Sequence, residues 1–120
     1  MIEVKNVTKK FDNFIAIDGL SFTVDKGSIY GLVGYNGAGK TTLLKTIAGV
    51  YKADGGEVLI DGVNTYDSTT ERQRMFYVPD DIYFEPYSTI AKMSEFYKGY
   101  YPSFSDETLD KLCGVFSLDK

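Results

Sequence analysis

The sequence predicts an α/β fold in which a strand, a glycine-rich turn and a helix follow one another directly. Residues 28–33 form a continuous apolar run, which is typical of a strand buried on both faces. Glycines at 34, 37 and 39 then make a turn, and residues 40–48 carry apolar side chains one helical turn apart. Gly49 stands where a glycine commonly ends a helix. This order of elements is expected of an α/β core.

Antiparallel strands are predicted on both sides of this unit. Apolar residues in the alternation of half-buried strands are Ile2, Val4, Val7, Leu20, Phe22 and Val24. Turns at 54–56 and 61–62 enclose a strand at 57–60, and residues 75–78 predict a further short strand that ends at Pro79. The core and its β part are therefore expected to occupy residues 1–87.

Two consecutive helices are predicted after residue 87. Thr89 is a suitable N-cap for the first helix, and Ser105, followed by two acidic residues, is a suitable N-cap for the second. Their expected apolar faces consist of Ile90, Met93, Phe96 and Tyr97 in the first helix and Leu109, Leu112, Cys113 and Phe116 in the second. We interpret 88–120 as the beginning of a helical subdomain.

Composition excludes several classes of function. The chain has 120 residues, a formal net charge of −4 and scattered basic residues, which argues against a nucleic-acid surface. No apolar run reaches the ~20 residues of a membrane-spanning helix, and a single cysteine indicates a reducing compartment. We expect a soluble chain in the cytoplasm.

Residues 34–41 carry the chemistry that the sequence predicts most specifically. They match the pattern G-x-x-x-x-G-K-[ST] of a P-loop. Glycines let backbone N–H groups surround phosphate oxygens, and the positive end of the following helix adds to the attraction. Lys40 is expected to reach the β- and γ-phosphates, the Thr41 hydroxyl to ligate Mg²⁺, and Thr42 to contact the α-phosphate. The fold class is thus a P-loop NTPase core.

Three stretches of the chain together follow the pattern of one protein family. They are the P-loop stretch 34–44, the leader 11–22, in which an aromatic residue precedes a strand, and the stretch 56–62. Together they resemble the ATP-binding cassettes of ABC transporters, most of all bacterial export-type cassettes. The resemblance implies an ABC ATPase fold, truncated here, whose signature and Walker B motifs lie beyond residue 120.

The resemblance also implies the residues of the site. The implied nucleotide contacts are Phe11, Ala16, Gly34, Asn36, Gly37, Ala38, Gly39, Lys40, Thr41 and Thr42. Phe11 would stack on the adenine ring, and Ala16 would lie against adenine or ribose. Lys40 and Thr41 would serve catalysis. The alternative for Phe11 is a core aromatic at a strand end.

Asp80 stands where this family has the glutamine of its Q-loop. A carboxylate can ligate Mg²⁺ as a hard oxygen donor, but it cannot donate the hydrogen bond of an amide. Its water-positioning role is therefore in doubt, and the alternative is a solvated acid in a turn. A second departure is Ala53, which stands at or near the usual proline.

The function implied by the resemblance is the ATP-binding subunit of an ABC transporter, which couples ATP hydrolysis to transport. Its implied partners are a transmembrane domain and a second cassette, with ATP and Mg²⁺ as cofactors, at the cytoplasmic face of the membrane. No nucleic acid is expected as a partner. We expect the chain by itself to bind nucleotide without hydrolysing it. The alternatives are a non-transport ABC-type ATPase that acts on ribosomes or DNA, a catalytically silent binding module, and an unrelated P-loop kinase.

Overall fold

The computed structural model describes residues 1–34, 39–79 and 84–120. The chain divides into two compact units, Met1–Tyr77 and Val78–Lys120. The first unit holds an antiparallel sheet and the helix that follows the P-loop. The second holds two helices. None of the described helices is long and apolar enough to cross a membrane.

The sheet of the first unit has four strands in the order β2-β1-β3-β4, and every neighbouring pair is antiparallel. The strands are β1 (Ile2–Phe11), β2 (Phe14–Val24), β3 (Gly55–Ile60) and β4 (Val63–Asn64). The predicted turn at 61–62 is confirmed. Asp61 and Gly62 both have positive φ, which is the geometry of a two-residue hairpin.

A bulge interrupts β1 and explains its apolar pattern. The pairing of β1 with β3 shifts register between Lys5 and Thr8, and Asn6 has a φ of 48°. On the facing strand, Gly56 has a φ of 70°, and a Cβ there would lie 2.2 Å from the Lys5 carbonyl oxygen. The extra residue brings Val4 and Val7, three positions apart, into one buried cluster.

The first unit is held together by a small apolar core between sheet and helix. The helix is α1 (Lys40–Ile47), which contributes Leu43 to this core. The buried members of the cluster are Val4, Val7, Ile17, Leu43 and Val58, and Val7 is completely inaccessible to solvent. Gly49 follows α1 with a φ of 80°, as its predicted role at the helix end requires. Burial of apolar surface thus fixes α1 on the sheet.

Residues 28–33 differ from the prediction of a strand buried on both faces. They form no strand, and Ile29 and Val33 are almost fully exposed. A strand of that kind needs a neighbour on each side, and within the described ranges no segment pairs with residues 28–33. Tyr30 nevertheless stacks on Phe22 of β2, with ring centroids 5.1 Å apart.

The predicted strand at 75–78 was also wrong. Residues 75–78 are described, and they do not form a strand. The short helix α2 (Thr69–Arg72), which was not predicted, precedes them. Its N-cap is Ser68, whose side chain accepts a hydrogen bond from the Glu71 backbone N–H. Ser-x-x-Glu is a capping signal, so the start of this helix was present in the sequence.

The second unit confirms both predicted helices and their caps. They are α3 (Ile90–Lys98) and α4 (Asp106–Val115). The hydroxyl groups of Thr89 and Ser105 each accept a backbone N–H from three residues further on. The two helices enclose an apolar cavity of about 410 Å³, whose lining includes Phe84, Ile90, Met93, Tyr97, Phe104 and Leu109.

The predicted apolar faces are buried only in part. Cys113 of α4 is buried, as expected of a small apolar residue, whereas Leu112, Phe116 and, on α3, Phe96 are exposed. Lys98 links the helices because its ammonium group lies 2.8 Å from Asp106 and 3.0 Å from Glu95. The hydrogen bond from Lys98 to Asp106 is the main reason why the pKa of Lys98 is raised.

An ion-pair network at the β3–β4 turn predicts a pH effect on stability. The Asp61 carboxylate lies 2.7 Å from the Met1 α-ammonium group and 2.7 Å from the Arg74 guanidinium group. These bonds, that of the α-ammonium first, lower the Asp61 pKa from 3.8 to about 2. A carboxyl group whose pKa is lowered by folding stabilises the fold fully at a pH above its unfolded-state pKa. This contribution is lost as the pH falls through the folded-state pKa.

We therefore expect the urea midpoint of the wild type to exceed that of Asp61→Asn at pH 5. The difference should shrink below pH ~4 and disappear as the pH falls below ~2. Asp67→Asn, which removes the same charge from the same unit, serves as the control. A difference between wild type and Asp61→Asn that is independent of pH would contradict this account.

Candidate functional site

Gly39 joins the P-loop to α1 at a point of very close backbone approach. Its φ of 92° lies in the left-handed region, which favours glycine. A Cβ at this position would lie 2.5 Å from the carbonyl oxygen of Ala16 in β2. No side chain fits here without a shift of backbone. Gly39 therefore packs directly on β2, against the residue that the resemblance implied for adenine or ribose.

The first turn of α1 presents the groups expected of an anion site. Gly39 offers no side chain to cap the helix, and the first intrahelical bond is donated by the Leu43 N–H to the Gly39 carbonyl, 2.8 Å away. The preceding N–H groups thus point outward at the positive end of the helix dipole. This is the backbone arrangement to which phosphate oxygens bind.

Three predicted side chains lie in this turn. Lys40 is half-buried, and its ammonium group donates a hydrogen bond to the Gly34 carbonyl oxygen. Thr41 is exposed. Thr42 is half-buried, and its carbonyl oxygen accepts a hydrogen bond of 2.7 Å from the Thr46 hydroxyl. Lys40 is therefore bonded to the backbone of the residue that begins the P-loop, and Thr41 is open to solvent.

A cavity of about 260 Å³ borders this turn. Its lining includes Ala16, Asp18, Leu20, Leu32, Gly39 and Lys40. The cavity is thus formed by β2, the segment before the P-loop and the start of α1, and it brings together the predicted contacts Ala16, Gly39 and Lys40.

Phe11 lies at the end of β1, apart from the buried core. Its side chain is 40% exposed. The ring packs edge-to-face on Tyr51, with the centroids 5.4 Å apart, and the Lys9 ammonium group lies 5.2 Å from its centroid. A partly exposed ring with fixed neighbours is available for stacking. No motif in the sequence points to Tyr51 or Lys9 as part of the site. Tyr51 could have been noticed only as an aromatic residue two positions after Gly49.

Four predicted site residues lie outside the described residues. They are Asn36, Gly37 and Ala38 of the P-loop and Asp80 of the Q-loop position. Their contacts stay predictions.

The described residues fit phosphate groups better than they fit a metal ion alone. The close packing at Gly39, the outward N–H groups and the Lys40 ammonium group all suit a polyphosphate. Within the described ranges no group of three or more His, Cys, Asp or Glu side chains could hold a metal. The Thr41 hydroxyl offers one oxygen ligand, which agrees with the way Mg²⁺ binds through few protein groups, waters and substrate phosphates.

The contact between Gly39 and Ala16 generates a stability prediction. Gly39→Ala should destabilise the fold by ~1–3 kcal/mol more than Gly27→Ala, because it adds a clash with backbone to the strain of positive φ. Gly27 is the matched control, since its φ is 76° and a Cβ there meets no atom within 4 Å. Urea denaturation of the two variants measures the difference. Equal losses would contradict the close approach of the P-loop to β2.

Comparison with known proteins agrees with this geometry. The sequence profile of the ABC transporter family matches residues 17–116. The SkfA peptide export ATP-binding protein SkfE of Bacillus subtilis (strain 168) is 36% identical over 107 residues, which are 88% of this chain and 44% of that protein. The chain spans less than half the length of this curated relative.

Solved structures give the same result. An ABC transporter ATP-binding protein from Pyrococcus furiosus superposes with a TM-score of 0.79 at 27% identity, over 98% of this chain and 58% of that one. A dimeric ATP-binding cassette in a post-hydrolysis state, bound to ADP and Pi, superposes with a TM-score of 0.54 at 33% identity, over 61% of this chain and 35% of that one. With Gly39 packed on β2 and a family profile that matches residues 17–116, this chain belongs to the ABC transporter family of ATP-binding proteins.

Proposed function

We propose that the chain binds ATP at the turn between Gly34 and Thr42 and belongs to a protein that couples ATP hydrolysis to transport across a membrane. The observation that carries the proposal is the start of α1. There Gly39 packs on the Ala16 carbonyl oxygen, the N–H groups before Leu43 have no acceptor within the helix, and Lys40 donates a hydrogen bond to the Gly34 carbonyl oxygen. A polyphosphate is the ligand that this set of donors suits best.

The phosphate end of the nucleotide is assigned to α1. Lys40 supplies a positive charge for the β- and γ-phosphates, and the outward N–H groups of the first turn supply hydrogen bonds. The Thr41 hydroxyl would hold Mg²⁺, which neutralises phosphate charge when it is bound. Asp80 is proposed as a second ligand of the metal, and Thr42 as a contact to the α-phosphate.

The adenine end is assigned to the tip of the β1–β2 hairpin. Phe11 offers a ring face for stacking, and Ala16 offers a small side chain beside the loop. Stacking on an aromatic ring is worth ~1–3 kcal/mol per base in nucleic-acid-binding proteins. Asn36, Gly37 and Ala38 complete the proposed contacts between the two ends.

The proposed partners are a transmembrane domain and a second cassette, at the cytoplasmic face of the membrane. The export function carried in the name of SkfE and the dimeric, ADP-bound cassette among the similar structures support this proposal. The scattered charges of an acidic chain weigh against the alternative, a non-transport ATPase that acts on ribosomes or DNA.

Lys40→Ala should weaken ATP binding at least tenfold, a loss of ~1.4 kcal/mol or more, because it removes a positive charge from the phosphates. Isothermal titration of this chain measures the affinity. Lys26→Ala, which removes the same charge from an exposed position, should bind like the wild type. Equal affinities for Lys40→Ala and wild type would refute the assignment.

Turnover is a separate question from binding. A site that binds the ground state and the transition state equally well does not accelerate the reaction. In addition, the chain contains no histidine that could contact the γ-phosphate. We therefore expect phosphate release by this chain to equal that of its Lys40→Ala variant.

Phe11→Ala should lower the affinity for ATP and leave that for inorganic tripolyphosphate unchanged, because only the base contact is lost. Phe11→Tyr keeps the ring and should bind ATP within about twofold of the wild type. Competition titration with both ligands tests the pair. If Phe11→Ala binds ATP as the wild type does, the adenine lies elsewhere.

A further inference from the structure

We propose that Tyr51 and Lys9 are positioning residues for the adenine site, because together they hold the Phe11 ring in one orientation. This inference rests on the proposed function and extends it to two residues that do not themselves touch the base. The juxtaposition consists of two aromatic rings and an ammonium group at the end of β1 and at the segment that follows α1.

The Tyr51 ring restrains Phe11 from one side. The two rings meet at an interplanar angle of 76° with centroids 5.4 Å apart, which is the favoured edge-to-face geometry of an aromatic pair. Phe11 itself remains 40% exposed, so part of its ring is free of Tyr51.

The Lys9 ammonium group lies within cation–π range of both rings. It is 5.2 Å from the Phe11 centroid and 5.7 Å from the Tyr51 centroid. Its place is well fixed. The side chain is only 14% exposed, and the ammonium group donates a hydrogen bond of 3.0 Å to the Lys52 carbonyl oxygen and lies 3.5 Å from the Asp54 carboxylate.

Tyr51 is also tied to the helix that carries the phosphate donors. The backbone N–H groups of Val50 and Tyr51 both donate to the Lys45 carbonyl oxygen near the end of α1. The Lys45 ammonium group lies 5.6 Å from the Tyr51 centroid. Helix α1 is about 12 Å long. It therefore has Lys40 at its start and, bonded to its end, Tyr51, which packs on Phe11.

A positioning role and simple packing predict different effects on ligand binding. Substitution of a residue that only stabilises the fold would weaken the binding of ATP and of tripolyphosphate equally. Substitution of a residue that orients Phe11 would weaken only the binding of ATP, which carries the base. The affinities for ATP and for inorganic tripolyphosphate, measured on the same variant, distinguish the two roles.

The test is titration of this chain and its variants with both ligands. Tyr51→Ala is expected to weaken ATP binding at least threefold and to leave tripolyphosphate binding within twofold of the wild type. Tyr51→Phe should bind ATP as the wild type does, because it keeps the aromatic ring that packs on Phe11. Lys9→Met, which keeps an unbranched side chain without the charge, should show the same selective loss as Tyr51→Ala.

Tyr66→Ala is the matched control. Tyr66 also lies near a lysine, with the Lys52 ammonium group 5.8 Å from its ring, and it lies in the same unit without a ring contact to Phe11. This variant should bind ATP as the wild type does. If Tyr51→Ala does not fold by circular dichroism, Tyr51→Leu replaces it, with the same selective loss expected.

Two outcomes overturn the inference. One is that Tyr51→Ala or Tyr51→Leu binds ATP with unchanged affinity. The other is that the variant loses affinity for ATP and for tripolyphosphate to the same extent. Phe11→Ala, titrated alongside, separates this failure from that of the proposed function. If Phe11→Ala weakens ATP binding and the Tyr51 variants do not, only the positioning role is wrong. If Phe11→Ala has no effect, the adenine assignment itself is wrong.

Discussion

The packing of Leu43 against the sheet is the interaction on which the rest of the first unit depends. This side chain joins α1 to valines of β1 and β3 and to Ile17 of β2. Because α1 is so placed, Gly39 meets the Ala16 carbonyl oxygen, and the first-turn N–H groups have a fixed direction. A short helix has little stability of its own, so the order of the candidate phosphate site derives from this apolar contact.

Much of the fold could be predicted from the sequence, because its signals are local. The hairpin turn at Asp61-Gly62, the caps Thr89 and Ser105, and the start of α1 each depend on one to four adjacent residues. The resemblance to the family also rests on three short stretches of sequence, so it could be seen before the fold was known. The predictions of strands at 28–33 and 75–78 were wrong. A strand forms only when it pairs with a neighbouring strand, and an apolar run does not specify which segment will pair with it.

The candidate site divides in the same way. Lys40, Thr41 and Gly39 are adjacent in sequence and could be predicted from the motif. The neighbours of Phe11 could not, because Tyr51 is forty positions away along the chain. Their contact arises from the pairing of β1 with β3 and from the turn after Gly49. The contacts that hold a site residue in place depend on how distant segments of the chain pack together, and a local sequence motif does not show them.

The bulge at Asn6 governs which side of the sheet each later residue of β1 occupies. Side chains alternate along a strand, so one extra residue reverses the alternation beyond it. Val7, Lys9 and Phe11 share a side through ordinary alternation, and the bulge places that side with Val4. Deleting one residue here would turn Phe11 to the opposite side without altering any residue of the site. For this segment, the number of residues is a stricter requirement than their identity.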